Sequence, residues 1–450
     1  MGKQLFGTDG IRGVAGEFPL DVSTAYAFGV ALGKDAASHR PQPEILIGAD
    51  TRESGTWLAE VVAAGLASKG ARVRYAGVIT TPGVAYLTRT GEFVAGVMIS
   101  ASHNPYHDNG LKVFGHSGFK LPDSEEHLIE QEIFSQIAAA NGAHAKPQPH
   151  PLVVEEDLAN QYLDYLAGVS SVRLDGVKVA LDCGNGAAYR LAPELFRRLG
   201  AEVVAICCDP DGRNINLNCG ALHLERLQAA VVEHGADFGA AFDGDADRAI
   251  FVSSRGNVVN GDGVLLAAGR ALKAAGRLPG DLVVSTVMAN LGLERAFEAS
   301  GIRMVRTPVG DKYVLEEMVR LGASVGGEQS GHIIFRDYST TGDGMLTALR
   351  VFEIARAARV GLDELVADLQ IFPQLLVNVR VREKKGLLEL PAVAEEIRLA
   401  EEAFAGTGRV LVRFSGTEPL ARVMVEGQDM NQVQTFSGNI AAAIRRAAGE

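Results

Sequence analysis

The sequence predicts an α/β protein: three related mixed α/β domains followed by a smaller C-terminal α+β domain. Three observations carry this. One order of elements (strand, polar turn, helix, glycine, strand) recurs three times along the chain. The pattern changes after Phe372-Pro373. The length, 450 residues with 47% hydrophobic and 22% charged content, suits a globular chain with three or four cores.

The first segment opens on Phe6-Gly7-Thr8-Asp9-Gly10-Ile11-Arg12-Gly13, whose three glycines allow close backbone approach or positive φ, with Arg12 among them as a fixed cation. Apolar residues at helical spacing then predict a helix over Pro19 to Lys34. The first copy of the repeat follows as strand Glu44 to Ala49, turn Asp50-Thr51-Arg52, helix Ser54 to Ser68, Gly70 and strand Arg72 to Ala76. The second runs through Val177 to Asp182, Ala188 to Leu199, Gly200 and Glu202 to Ile206. The third runs through Leu282 to Thr286, Leu293 to Ala299, Gly301 and Arg303 to Arg306.

Between the copies, Asn141 to Pro151 has three prolines and no periodicity, and reads as a linker. Arg255-Gly256-Asn257 reads as a hairpin turn, and Leu362 to Leu369 as helical. The tail carries strands over Leu375 to Val381, Arg409 to Arg413 and Ala421 to Glu426, with helices over Pro391 to Phe404 and Met430 to Ala448. Domain boundaries are expected at 1–150, 151–255, 256–371 and 372–450.

Composition narrows the function. A net charge of -12 argues against a nucleic-acid surface, while leaving room for a small anionic substrate in a local basic pocket. Four irregularly spaced cysteines (Cys183, Cys207, Cys208 and Cys219) without a C-x-x-C pair disfavour a zinc knuckle and suit a reduced compartment. Met1 to Phe6 has no signal-peptide core, and Phe6 breaks the myristoylation pattern. No apolar run approaches the ~20 residues of a membrane span. A cytoplasmic protein with no membrane or nucleic-acid partner is expected.

Five stretches carry chemistry. In Met98-Ile99-Ser100-Ala101-Ser102-His103-Asn104-Pro105 an apolar strand ends in a tight loop, with Ser102 lifted beside His103 and Asn104. Such a serine suits a covalent carrier. Just beyond it, Asp108-Asn109-Gly110-Leu111-Lys112 reads as a turn presenting Lys112 to a phosphate. The strand Phe238 to Phe242 leads into Asp243-Gly244-Asp245-Ala246-Asp247-Arg248. Carboxylates at alternate positions of an extended segment project to one side, and oxygen-only ligands suit a hard ion such as Mg²⁺.

Gly327-Glu328-Gln329-Ser330-Gly331-His332 combines groups able to read several sugar hydroxyls, and His332 is a candidate proton shuttle. Arg413-Phe414-Ser415-Gly416-Thr417-Glu418-Pro419 offers a guanidinium, two hydroxyls and backbone amides to a phosphate monoester. No Walker A or G-x-G-x-x-G follows a strand, so a nucleotide site is not indicated.

These stretches, in this order and over essentially the whole chain, resemble the α-D-phosphohexomutase family. The resemblance implies a four-domain architecture around a central cleft, with Ser102 as a phosphoserine. It implies one Mg²⁺ per chain, held by Asp243, Asp245, Asp247 and a phosphoserine oxygen. Arg248, Lys112, Arg12 and His103 would surround the transferring group, and His332 would shuttle a proton. Glu328 and Ser330 would hold sugar hydroxyls, and Arg413, Ser415, Gly416 and Thr417 the substrate's phosphate.

Leu5 to Gly13, Asn216-Leu217-Asn218-Cys219-Gly220 and Val309-Gly310-Asp311-Lys312-Tyr313-Val314 are similar to the amino-sugar branch of that family. That branch implies interconversion of glucosamine 6-phosphate and glucosamine 1-phosphate through a 1,6-bisphosphate, feeding UDP-N-acetylglucosamine and peptidoglycan precursors in bacteria. Two alternatives stay open: a sister phosphomannomutase or phosphoglucomutase, and a metal-dependent sugar-phosphate phosphatase. The oligomeric state is open, with a homodimer the arrangement to test.

Overall fold

The computed structural model describes residues 4–7, 9–139, 148–382, 386, 390–414 and 419–449. The chain divides into two compact units, Met1–Met288 with Ile302–Ala367, and Ala289–Gly301 with Asp368–Glu450.

The first unit holds three sheets built on one plan. In the first, parallel strands Arg72–Val78, Glu44–Ala49 and Ala95–Ile99 lie side by side, and Asp108–Gly115 pairs antiparallel with the last. In the second, Glu202–Ile206, Lys178–Asp182 and Phe238–Phe242 are parallel, and Ala249–Ser253 turns back antiparallel. In the third, Arg303–Thr307, Leu282–Thr286 and Val325–Gly327 are parallel, and Ile333–Phe335 turns back. The predicted repeat is therefore real and extends one helix and one hairpin further than the sequence pattern revealed. The Ser102 loop, the Asp243–Asp247 loop and the Glu328–His332 loop occupy the same place in each copy, between the third strand and its antiparallel return. Open α/β sheets place ligands at the carboxyl ends of their parallel strands, and all three loops leave such an end.

The inner parallel strands are almost wholly apolar because helices cover both faces of the sheet, whereas the edge strands Arg72–Val78 and Arg303–Thr307 each carry two arginines. Ile45, Ile47, Val97 and Ile99 are buried in one core with Leu58, Val62 and Phe28 from neighbouring helices. Four corrections to the sequence reading follow. The first helix is Val22–His39 rather than Pro19 to Lys34, because the Asp21 side chain accepts from Ser23 and Thr24 N–H and caps it there. Asp108 to Lys112 is not a turn but part of strand Asp108–Gly115. The Asn-Gly pair serves packing: Asn109 Nδ2 donates to Ser54 Oγ at 2.8 Å, and a Cβ on Gly110 would lie 2.6 Å from Ser100 O.

Asp243 to Asp247 is a turn rather than an extended segment, with Ala246 at φ +55° and its N–H donated to Asp243 O. The helix expected over Leu362 to Leu369 is only Leu362–Leu365. Beyond it, Asn290 engages both backbone groups of Phe372, accepting from its N–H at 3.0 Å and donating to its O at 2.9 Å.

In the second unit, antiparallel strands Gln374–Arg380, Leu420–Gly427 and Gly408–Phe414 pack against helices Pro391–Phe404 and Met430–Ala448. This is the predicted α+β tail. Among the described residues, no helix is long and apolar enough to cross a membrane.

Candidate active site

Ser102 sits at φ +54°, a left-handed conformation that a non-glycine residue adopts only when its surroundings impose it. Those surroundings are visible. Ser100 Oγ accepts from Ser102 N at 2.9 Å and donates to Asp50 Oδ2 at 2.6 Å. Arg52, buried against Asp50 at 2.8 Å, donates to four carbonyls of the loop. These are Ser102 O at 2.9 Å, Asn104 O at 2.8 Å, Asp108 O at 3.0 Å, and Pro105 O. Asn216 Nδ2 donates to Ser102 O as well, at 2.9 Å. The backbone of the acidic loop passes so close that a Cβ on Gly244 would lie 2.4 Å from Ser102 O.

So held, the Ser102 hydroxyl donates to Asp243 Oδ2 at 2.6 Å and lies 3.4 Å from His103 Nδ1. Asp243, Asp245 and Asp247 are all buried, and one oxygen from each lies within 4.8 Å of the others. Burial, then Asp247 and Asp245, push the Asp243 carboxyl well above the usual range. Burial would raise Asp245 too, but Lys112 at 2.7 Å and the Thr81 hydroxyl hold it down at about 2. Asp245 Oδ1 and Asp247 Oδ1 are buried without a hydrogen-bond partner. Clustered oxygen ligands with orphaned atoms fit a hard divalent cation.

Cations frame the triad. Lys112, fully buried, reaches Asp245 and, at 3.0 Å, Asp9. Arg248 Nε lies 3.8 Å from Asp247 and 4.0 Å from Asp243. Arg12 pairs with Asp9 and approaches Ala101 O at 3.5 Å. Asp9, which burial alone would raise, is held well below the carboxylate range by Lys112, Lys120 and Arg12. His103 is pushed down to about 4 by burial and by Arg248 and Arg12, so its imidazole is neutral at pH 7.

From the third sheet, His332 enters the same cluster. Its Nε2 lies 3.7 Å from Asp311 and 3.9 Å from Asp247, and both ring nitrogens are buried without hydrogen-bond partners. Glu328 Oε1 accepts from Gly310 N at 3.1 Å, and Ser330 is exposed on the same loop. Ser102, His103, Lys112, Asp243, Asp245, Asp247, Arg248, His332 and Arg12 thus converge within the first unit. Asp50, Arg52, Asp9, Lys120 and Thr81 were not singled out as site residues by sequence. Asp50-Thr51-Arg52 read as a turn, and only the placement of Arg52 beneath the Ser102 loop reveals its part.

Arg413, in the second unit, stands opposite Arg422 across antiparallel strands. Burial, then Arg422, push its guanidinium pKa down. Ser415, Gly416 and Thr417 lie outside the described residues.

A buried serine bonded to a carboxylate set that fits a metal, and ringed by lysine and arginine, is the equipment of a phosphoryl-transfer enzyme. Family models assign the chain accordingly. Residues 3–140, 160–256 and 260–372 match the phosphoglucomutase/phosphomannomutase alpha/beta/alpha domains I, II and III, and residues 376–443 match the C-terminal domain. The chain belongs to the phosphoglucomutase/phosphomannomutase family.

Within it, the chain is 78% identical over 450 residues to a phosphoglucosamine mutase of Solibacter usitatus, covering 100% of both chains. It is 51% identical to another of Koribacter versatilis, covering 99% of this chain and 98% of that one. A solved phosphoglucomutase/phosphomannomutase family protein from Burkholderia thailandensis matches with a TM-score of 0.78 at 25% identity, covering 98% and 97% of the two chains. An Aspergillus fumigatus N-acetylphosphoglucosamine mutase, solved with GlcNAc-6P and magnesium, shares the fold at 18% identity with a TM-score of 0.67, covering 99% and 96%.

Proposed function

We propose that this enzyme interconverts glucosamine 6-phosphate and glucosamine 1-phosphate through glucosamine 1,6-bisphosphate, with Ser102 as the phosphoryl carrier. The observation that carries the chemistry is the buried Ser102 hydroxyl bonded to Asp243 inside a carboxylate triad with orphaned oxygens. The choice of amino sugar rests on full-length similarity to phosphoglucosamine mutases.

Asp243, Asp245 and Asp247 would hold Mg²⁺, joined by an oxygen of phosphorylated Ser102. When bound, Mg²⁺ supplies charge neutralisation for the transferring group. The residues of the chain do the rest. A sugar hydroxyl attacks the phosphorus of phosphoSer102, the new P–O bond forms, and the bond to Ser102 Oγ breaks. Lys112, Arg248 and Arg12 oppose charge on the phosphoryl oxygens. His332, with both nitrogens unbonded, takes the hydroxyl proton, and the released Ser102 Oγ takes up one proton to restore its hydroxyl, so that protons balance. The bisphosphate then turns and returns its other phosphoryl group to Ser102.

Glu328 and Ser330 would hold hydroxyls common to both orientations. Arg413 would hold the substrate's own phosphate, since a guanidinium makes charge-assisted, often bidentate, hydrogen bonds to a phosphate. The enzyme would act in the cytoplasm on this small anion, with no nucleic-acid or membrane partner.

Coupled assays with glucosamine, glucose and mannose phosphates test the reading. The highest kcat/KM is expected for glucosamine phosphates, without net release of inorganic phosphate. Preference for mannose or glucose phosphate would move the enzyme to a sister branch, and stoichiometric phosphate release would make it a phosphatase.

A further inference from the structure

The second sheet holds a different cluster at the carboxyl ends of two parallel strands. Asp182 ends strand Lys178–Asp182, Cys207 follows strand Glu202–Ile206, and Cys219 precedes the short turn at Gly220–Leu222. One ligand atom from each lies within 4.8 Å of the other two. Asp182 is fully buried, and its Oδ2 has no hydrogen-bond partner. Cys219 is buried and Cys207 partly so, and neither forms a disulfide. Arg226 Nη1 lies 3.7 Å from Cys207 Sγ, a cation beside the more accessible sulfur. Near a cation the thiolate is favoured over the thiol.

We propose that Asp182, Cys207 and Cys219 form a second metal site, selective for a borderline or soft divalent cation such as Zn²⁺. Two thiolates and one carboxylate are the donors such an ion prefers, whereas the all-oxygen triad at Asp243 suits a hard one. Three protein ligands leave a fourth, tetrahedral position for water on the accessible side of Cys207. Binding replaces thiol protons by the ion, so it releases protons and strengthens with pH.

The site has a structural consequence. Cys207 and Cys219 bracket the loop that carries Asn216, whose side chain donates to Ser102 O and, at 3.2 Å, to Asn104 O. Its backbone N–H is held by Gly184 O, two residues beyond Asp182. An ion joining the three ligands would fix the loop that braces Ser102, without touching the phosphoryl group.

Cobalt(II) titration of the reduced full-length protein in excess Mg²⁺ tests this. One equivalent is expected to produce sulfur-to-cobalt charge-transfer absorption in the near ultraviolet, and one equivalent of Zn²⁺ to abolish it. Cys219→Ser should reduce the band to half or less, and Asp182→Asn should weaken cobalt binding at least tenfold, while Cys208→Ser and Asp245→Asn leave the band unchanged. Circular dichroism checks folding, and Cys207→Ser replaces Cys219→Ser if the buried substitution does not fold. No charge-transfer band, or one indifferent to both cysteine substitutions, overturns the proposal.

Discussion

Ser102 Oγ and Asp243 Oδ2 lie 2.6 Å apart although 141 positions separate them in the chain. That contact joins the first repeat to the second, and it forms because both residues occupy equivalent loops of one folding plan. Asp243 is held well above the usual carboxylate range by burial and by its two acidic neighbours. A cation at this pair would relieve that crowding of negative charge.

Asp245→Asn should weaken Mg²⁺ binding and turnover together. The substitution removes one negative ligand and the close partner of Lys112 at 2.7 Å. Calorimetric titration reads the affinity. An unaltered affinity would remove the triad from the metal site.

Arg52→Ala should destabilise the first unit by about 3–5 kcal/mol, because it leaves Asp50 as a buried, unpaired charge. It also removes one donor from each of the carbonyls of Ser102, Asn104, Pro105 and Asp108, leaving Asn216 as the side-chain donor to the first two. Urea unfolding gives the stability change. Turnover of the folded fraction should fall as well, since the Ser102 loop loses its clamp. A variant with unchanged stability would mean that the clamp is dispensable.

Asp343→Asn should change how stability depends on pH. Asp343 accepts from Tyr162 OH at 2.8 Å and from Leu346 N at 2.9 Å, yet burial raises its carboxyl from 3.8 to about 6. Between those values the folded protein binds more protons than the unfolded chain. This residue's contribution is therefore full below pH 3.8 and is lost as pH rises through 6. A shift of that size corresponds to about 3 kcal/mol. Wild type minus Asp343→Asn stability should fall over this interval and stay flat above it. A parallel pair of curves would show that Asp343 does not titrate there.

Arg413→Ala should raise KM for a sugar phosphate by removing a charge-assisted contact of roughly 1.5–3 kcal/mol. It should also relieve the opposition between Arg413 and Arg422, so fold stability should not fall. Steady-state kinetics with thermal unfolding separates the two effects. Unchanged KM would take Arg413 out of the phosphate site.

Much of this was legible in sequence because the chemistry sits in short, punctuated stretches. An apolar strand running into Ser100-Ala101-Ser102, or into Asp243-Gly244-Asp245, marks both the strand end and the reactive group. The supporting residues were not legible. Arg52 looks like any turn arginine until the fold lays it beneath Ser102. Asp9 and Lys120 matter only because two sheets bring them to Lys112 and Asp311. Asn109-Gly110 carries a strong turn signal, yet close packing against Ser100 places it in a central strand. Local signals set propensity, and tertiary contacts decide which propensity is realised.

The central claim is that Ser102 carries the phosphoryl group, and intact-protein mass spectrometry after exposure to glucosamine 1,6-bisphosphate tests it most directly. Wild type should gain one phosphoryl group, mapped to Ser102, while folded Ser102→Ala gains none and loses nearly all turnover. A Ser102→Ala variant that still takes up the group, or that turns over as wild type does, would contradict the account.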